Sequence, residues 1–187
     1  MPEQHTVREP VALTGIGLHT GQEVHVELAP AEPDTGVVFV RVDLPGRPRV
    51  EARPENLVSR PRRSALAQGG AEVHTTEHLL AALCGSGIQN LEVRIDGVEL
   101  PGLDGSALPF YDAVRSAGIQ PQGGRARELR WTSPVAVTDR GASIIALSRN
   151  EGLSVGYTLD YAHLRATSLP SCPSTQFLEL EITEESF

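Results

Sequence analysis

The sequence predicts an α+β protein built from two similar α/β sandwich domains, the second of them incomplete, and three observations lead to that class. In the first part of the chain, stretches alternating apolar with polar residues are interleaved with Leu/Ala-rich stretches of helical spacing, a mixture that packs as layers. After the proline- and glycine-rich break Pro121-Gln-Gly-Gly-Arg-Ala-Arg, only strand patterns follow. The head of each part also reads alike, Pro10-Val-Ala-Leu-Thr-Gly-Ile-Gly against Pro134-Val-Ala-Val-Thr-Asp-Arg-Gly, as in an imperfect duplication. The expected domains are residues 1–122 and residues 123–187.

Glu23 to Leu28 sets Val24, Val26 and Leu28 against Glu23, His25 and Glu27, the alternation of a half-buried strand. Val37 to Val42 is a β-branched run entered through Asp34-Thr-Gly, and Leu91, Val93 and Ile95 alternate with charges up to an Asp96-Gly97 turn; both predict strands. Thr76 to Cys84 is rich in Leu and Ala and stops at Gly85, which predicts a helix beginning at Thr75 or Thr76. Ser106 then serves as N-cap for a second helix carrying Leu108, Phe110, Tyr111, Val114 and Ala117, with Gly118 as its stop.

Beyond a boundary near Gly123, strands are expected at Val135 to Val137, Ser143 to Leu147, Leu153 to Tyr161 and Leu178 to Ile182. If the copies align, residues 134–187 cover only the opening strands of the first. A sheet without its helices leaves apolar surface in water at a cost of roughly 25 cal/mol per Å², so a truncated chain, or one completed by a partner, is expected. Apolar Leu178, Leu180 and Ile182 at an edge also predict self-association.

Composition narrows the function. The 187 residues hold 24 acids against 16 bases, a net charge of −8, with 40% hydrophobic residues, which is the composition of a globular protein. Every base is arginine, so mechanisms that need a lysine of this chain, such as Schiff-base chemistry or a phosphate-loop lysine, are excluded. The arginines are scattered among acids, against a nucleic-acid partner. Met1-Pro-Glu-Gln-His has no signal-peptide character and no stretch approaches the ~18 apolar residues of a membrane span, so a cytoplasmic location is expected, with Cys84 and Cys172 as unpaired thiols.

Glu77 and His78, at the start of the first helix, are the leading chemical candidates. Were His78 to bind a metal, the adjacent carboxylate would lean over it and take a proton from a bound water without being a ligand. Spacing alone favours a plainer reading, a first-turn acid suited to the helix dipole beside a surface histidine, because a zinc site needs at least two more ligands. His5, His19, His25, His74 and His163 are the other imidazoles, and His25 and His74 read as solvent-facing. Gly15-Ile-Gly-Leu-His19-Thr-Gly is a glycine-punctuated turn presenting one histidine, and Leu100-Pro-Gly-Leu-Asp104-Gly-Ser is a turn feeding a capped helix.

Taken together and in this order, these stretches resemble the N-terminal half of the UDP-3-O-acyl-N-acetylglucosamine deacetylase family, zinc amidases of lipid A biosynthesis. The resemblance is carried by Gly15-Ile-Gly-Leu-His-Thr-Gly, Asp34-Thr-Gly-Val-Val-Phe with Arg41-Val-Asp, Thr76-Glu-His-Leu-Leu-Ala-Ala-Leu with Gly87-Ile-Gln-Asn-Leu, and Pro101-Gly-Leu-Asp-Gly-Ser-Ala-Leu-Pro-Phe. It is strong from about Val11 to Ile119 and one of pattern only from Val135 to Phe187. It implies two similar domains with the active site between them, Zn2+ as cofactor, His78 as a zinc ligand, Glu77 as general base, His19 and Asp104 beside the site, and an acylated UDP-sugar as substrate, hydrolysed at its N-acetyl group.

The resemblance also implies a histidine and an aspartate of the second domain as further zinc ligands, a further catalytic histidine, and a lysine beside the ligand histidine; the chain stops before all of them. Arg60-Pro-Arg-Arg departs from the apolar, threonine-rich stretch usual in the family, and reads either as a contact to a nucleotide diphosphate or as a solvated loop. Two alternatives accompany the deacetylase reading: a non-catalytic homologue acting as a nucleotide-sugar binding or interaction module, and another zinc hydrolase with a sugar or peptide substrate.

Overall fold

The computed structural model describes residues 3–127, 132–147, 153–160 and 175–182. In chain order its strands and helices are β1 (Glu3–Val7), β2 (Val11–Ile16), β3 (Glu23–Pro30), β4 (Val37–Arg41), β5 (Arg49–Glu51), β6 (Leu57–Arg60), β7 (Arg63–Gln68), β8 (Ala71–His74), α1 (Glu77–Gly85), β9 (Leu91–Ile95), α2 (Leu108–Ala117), β10 (Ile119–Arg125), β11 (Val135–Asp139), β12 (Ala142–Ala146), β13 (Leu153–Asp160) and β14 (Thr175–Ile182). The mixed α/β class is as expected, mostly sheet with two helices. The chain divides into two compact units, Met1–Arg127 and Glu128–Phe187.

A five-stranded sheet of order β2-β3-β9-β4-β5 forms the first unit's main layer. β4 runs parallel to β9 and the other pairs are antiparallel. The alternation read in β3 buries Val24, Val26 and Leu28, and these meet Leu91, Val93 and Ile95 of β9 and Phe39 of β4 in one apolar cluster. The same cluster holds Leu79, Ala82 and Leu83 of α1 and Phe110, Val114 and Ala117 of α2, so both helices lay their apolar sides on the sheet. Arg94 of β9 carries charge instead, paired with Glu27 and Glu92.

The helices begin and end close to where their signals stand. Gly118 closes α2 at φ 72°, a left-handed turn that glycine adopts without a Cβ penalty. Ser106 caps α2 from one residue ahead of the formal cap, its Oγ accepting the Leu108 N–H at 3.1 Å. β6, β7 and β8 form a separate antiparallel meander.

The Pro121–Arg127 stretch, expected as a linker, is strand for most of its length. β10 pairs with β1, Val7 opposite Ile119 and His5 opposite Pro121, and the Gly123 N–H donates to Glu3 Oε1 at 2.6 Å. The pair is a two-stranded ribbon, where a proline costs no ladder bond on its open side. Among the described residues no helix is long and apolar enough to cross a membrane.

In the second unit β11 and β12 form an antiparallel hairpin whose turn residues, Arg140 and Gly141, both have positive φ, 47° and 84°, the primed turn that suits twisted strands. Val135, Val137 and Ile144, on one face of it by register, are exposed. β13 pairs antiparallel with β14 from Leu153 opposite Ile182 to Asp160 opposite Thr175. His163 and Cys172 lie outside the described residues, as do the side chains of Leu178, Leu180 and Ile182.

Candidate active site

The shelf ahead of α1 is built from strained backbone. β8 ends at His74, and Thr75 then takes φ 58°, a left-handed conformation unusual for a β-branched residue. It is held there by three bonds. The Thr75 and Thr76 N–H groups both donate to the Ser64 carbonyl, at 2.8 and 3.4 Å, and the Thr75 hydroxyl donates to Glu99 Oε1 at 2.8 Å. Strain of this kind costs about 1–3 kcal/mol and persists where the surroundings over-determine it, often at functional sites.

α1 opens on Glu77 and His78. Glu77 sits in the first turn, where the helix dipole favours a carboxylate, and its Oε2 accepts the Ser64 N–H at 3.1 Å. His78 is half-buried, and its imidazole carries no hydrogen bond among the described residues. Next to it, Thr76 Oγ1 is buried without a partner among the described residues, a donor and acceptor at the head of the helix.

The glycine turn comes to the same shelf. Gly17 bridges to Pro101, the Gly102 N–H donates to the Ile16 carbonyl at 2.9 Å, and the turn closes on itself through Gly21 N–H to Gly17 O at 2.9 Å. The buried carboxylate of Glu99, 2% exposed, receives the His19 N–H at 3.1 Å and the Thr20 N–H at 2.8 Å. Burial by itself pushes this carboxyl up, but the donors from Thr75, Thr20 and His19 together hold it below the usual glutamate value. The His19 residue itself is exposed.

Asp104 lies on the loop between Pro101 and α2. Its Oδ1 accepts the Ser106 N–H and the Ser106 hydroxyl, each at 2.8 Å, and these bonds lower its carboxyl, with a smaller contribution from the charge of His78. Asp104 therefore organises its own turn while standing within electrostatic reach of His78. The structure thus brings the three stretches toward the head of α1: Glu77 and His78 on the helix, Asp104 within electrostatic reach of His78, and His19 tethered by its backbone to Glu99.

Other expectations fall elsewhere. His25 is exposed and pairs with Asp96, but His74 is not solvent-facing: its side chain is 12% exposed and its Nε2 lies 2.8 Å from Glu72 Oε2, because β8 is bonded through its backbone to Val98 and Leu100. Arg60 pairs with Glu72 through two short bonds, 2.6 and 2.8 Å. His74 first, then Arg60, lowers the Glu72 carboxyl. A cleft of about 540 Å³ is lined by Gln4, Asp34, Gly36, Arg53 and Asn90 among others, and by none of the predicted site residues. Glu99 was invisible in the sequence, a single acid in Val98-Glu-Leu-Pro with no periodic signal.

Among the described residues no three metal-ligating side chains cluster. The donor set toward a zinc ion is His78, whose imidazole makes no hydrogen bond among the described residues, with the Glu77 carboxylate beside it; this fits part of the three-ligand shell of a catalytic zinc.

Residues 4–187 match the family model described as UDP-3-O-acyl N-acetylglycosamine deacetylase. Curated relatives named UDP-3-O-acyl-N-acetylglucosamine deacetylase include those of Citrifermentans bemidjiense, 39% identical over 98% of this chain and 58% of the relative, Anaeromyxobacter dehalogenans, 42% identical over 86% and 51%, and Methylococcus capsulatus, 37% identical over 87% and 53%. The chain spans about half the length of the curated relatives it matches.

Proposed function

The chain belongs to the UDP-3-O-acyl N-acetylglycosamine deacetylase family, and from that premise we propose that it carries the general-base half of a zinc-dependent amidase acting on the N-acetyl group of an acylated UDP-N-acetylglucosamine, in lipid A biosynthesis. The observation that carries the reading is the gathering of Glu77, His78, Asp104 and the His19 turn at the head of one helix.

His78 is the residue of this chain that would hold the zinc ion, with the remaining ligands supplied from outside the described residues. When bound, the metal supplies Lewis-acid polarisation of the amide carbonyl and a lowered pKa for the attacking water. The chain's own work is proton movement and orientation. Glu77 Oε2 is fixed by Ser64, which leaves Oε1 as the atom that takes a proton from the attacking water and later returns it to the departing amine. Asp104 stands within electrostatic reach of His78, and the turn of His19 borders the substrate. Products are acetate and the free amine.

We read the two units as copies of one fold, with the first domain ending after β10. The matching heads both open antiparallel hairpins, β2–β3 and β11–β12, and the exposed face of Val135, Val137 and Ile144 is where a second copy would receive its helices. A nucleotide-sugar substrate puts the work in the cytoplasm.

The test is zinc stoichiometry, beside His78→Ala, of the chain combined with the part that supplies the remaining ligands, followed by acetate release from the acylated UDP-sugar. One zinc per chain that depends on His78, with turnover, is the expected result. Substrate binding without zinc or acetate release would instead support a non-catalytic binding module.

A further inference from the structure

We propose that Glu99 is the positioning residue of this site: its buried carboxylate sets where the turn of His19 stands relative to Thr75 and the head of α1. The kinetic consequence rests on the deacetylase reading above, whereas the structural one rests on geometry alone.

A carboxylate removed from water is costly unless its lone pairs are filled. Glu99, 2% exposed, fills them with three donors from two separate segments: the N–H groups of His19 and Thr20 on one side and the Thr75 hydroxyl on the other. The acid is thereby the joint between the glycine turn and the shelf that leads into Glu77 and His78. An amide would not serve. A carboxylate is acceptor-only on both oxygens, whereas a glutamine would turn an N–H₂ toward one of these donors.

Both flanking oddities follow from this joint. Gly17 is bare because a Cβ there would sit 2.7 Å from Glu99 Oε2 and collide with the Thr20 hydroxyl. Thr75 tolerates its left-handed backbone, φ 58°, with its hydroxyl anchored on Glu99. Glu99 bonds the backbone of the His19 turn and the Thr75 hydroxyl, so it acts on Glu77 and His78 through the backbone it holds.

The test compares zinc-supplied wild type with Glu99→Gln by amide hydrogen exchange and by deacetylation kinetics. Protection of the His19 and Thr20 amides is expected to fall by about tenfold or more, with Val26 and Val93 unchanged, since a bond to a charged acceptor is lost. KM is expected to rise about tenfold with kcat held within about threefold, because the substrate border moves while Glu77 and His78 stay. Unchanged protection at His19 and Thr20, or a loss spread equally over β3 and β9, overturns the proposal. If Glu99→Gln does not fold, Thr75→Val removes one donor at nearly constant shape, and unchanged protection at residues 17–20 in that variant overturns it equally. A wild type without deacetylation would sink the enzymatic reading alone, leaving the exchange measurements to decide Glu99.

Discussion

Glu77 Oε2 accepts the backbone N–H of Ser64 at 3.1 Å, which ties the first acid of α1 to the opening of β7 and fixes the direction in which its other oxygen faces. Glu77→Gln keeps an acceptor for Ser64 and removes the basic oxygen. Acetate release is expected to fall by about 10²–10⁴-fold, the usual worth of a general base, while urea denaturation shifts by less than about 1 kcal/mol.

His78 is half-buried and free of hydrogen bonds among the described residues, so His78→Ala removes a donor without breaking a network. Elemental analysis after dialysis is expected to give zinc at background. The thermal transition of the metal-free protein is expected to stay within about 1 kcal/mol of the metal-free parent, as for substitutions outside a tight core.

Arg41, whose side chain is 9% exposed, grips Asp43 with two bonds, Nε to Oδ1 at 2.8 Å and Nη2 to Oδ2 at 2.6 Å, and reaches the Glu72 carbonyl at 2.8 Å. Arg41→Met leaves that carbonyl and the Asp43 carboxylate without their donor. A loss of about 2 kcal/mol in the unfolding free energy from urea denaturation is expected, below the ~3–5 kcal/mol of a fully buried pair because Asp43 is 28% exposed and water rescues it in part.

Acid should loosen the joint at Glu99 before it unfolds the sheet. The donors on Glu99 outweigh burial and hold its carboxyl below the ordinary 4.5, so the folded form binds this proton less tightly than the unfolded form. Its contribution is complete above pH 4.5 and is lost as pH falls through the folded value. Asp43, lowered by Arg41 from 3.8, adds to the same decline. A plot of unfolding free energy against pH is expected to drop on the acid side of 4.5, and less steeply in Glu99→Gln; an identical slope in the variant would remove Glu99 from the account.

Legibility in the sequence followed physical periodicity. β3, β9, α1 and α2 each bury one clean face, so Val24, Val26 and Leu28, or Phe110 and Val114, announce their element. β7 failed because Arg63-Ser-Ala-Leu-Ala-Gln shows no clear alternation, and β10 failed because Pro121 and the paired glycines read as a break, although a two-stranded ribbon accepts them. Glu77, His78, His19 and Asp104 were legible as motifs, and the family resemblance implied one site for them; the bonds through Glu99 that hold the His19 turn there were not. Glu99 left no trace because its partners include backbone amides 79 and 80 positions away, a relationship only the folded chain creates.

The pairing of β1 with β10 makes the first unit's earliest residues wait for its latest. Glu3 lies opposite Arg125, so during synthesis β1 has no strand to pair with until nearly the whole unit has been made, and its closure demands the longest loop in the unit. Local pieces such as β2–β3 and the β6–β8 meander can form as they emerge, whereas the ribbon completes last. A nascent chain halted before β10 would therefore present β1 as an open edge, the state in which chaperone binding or strand exchange with another copy is most exposed.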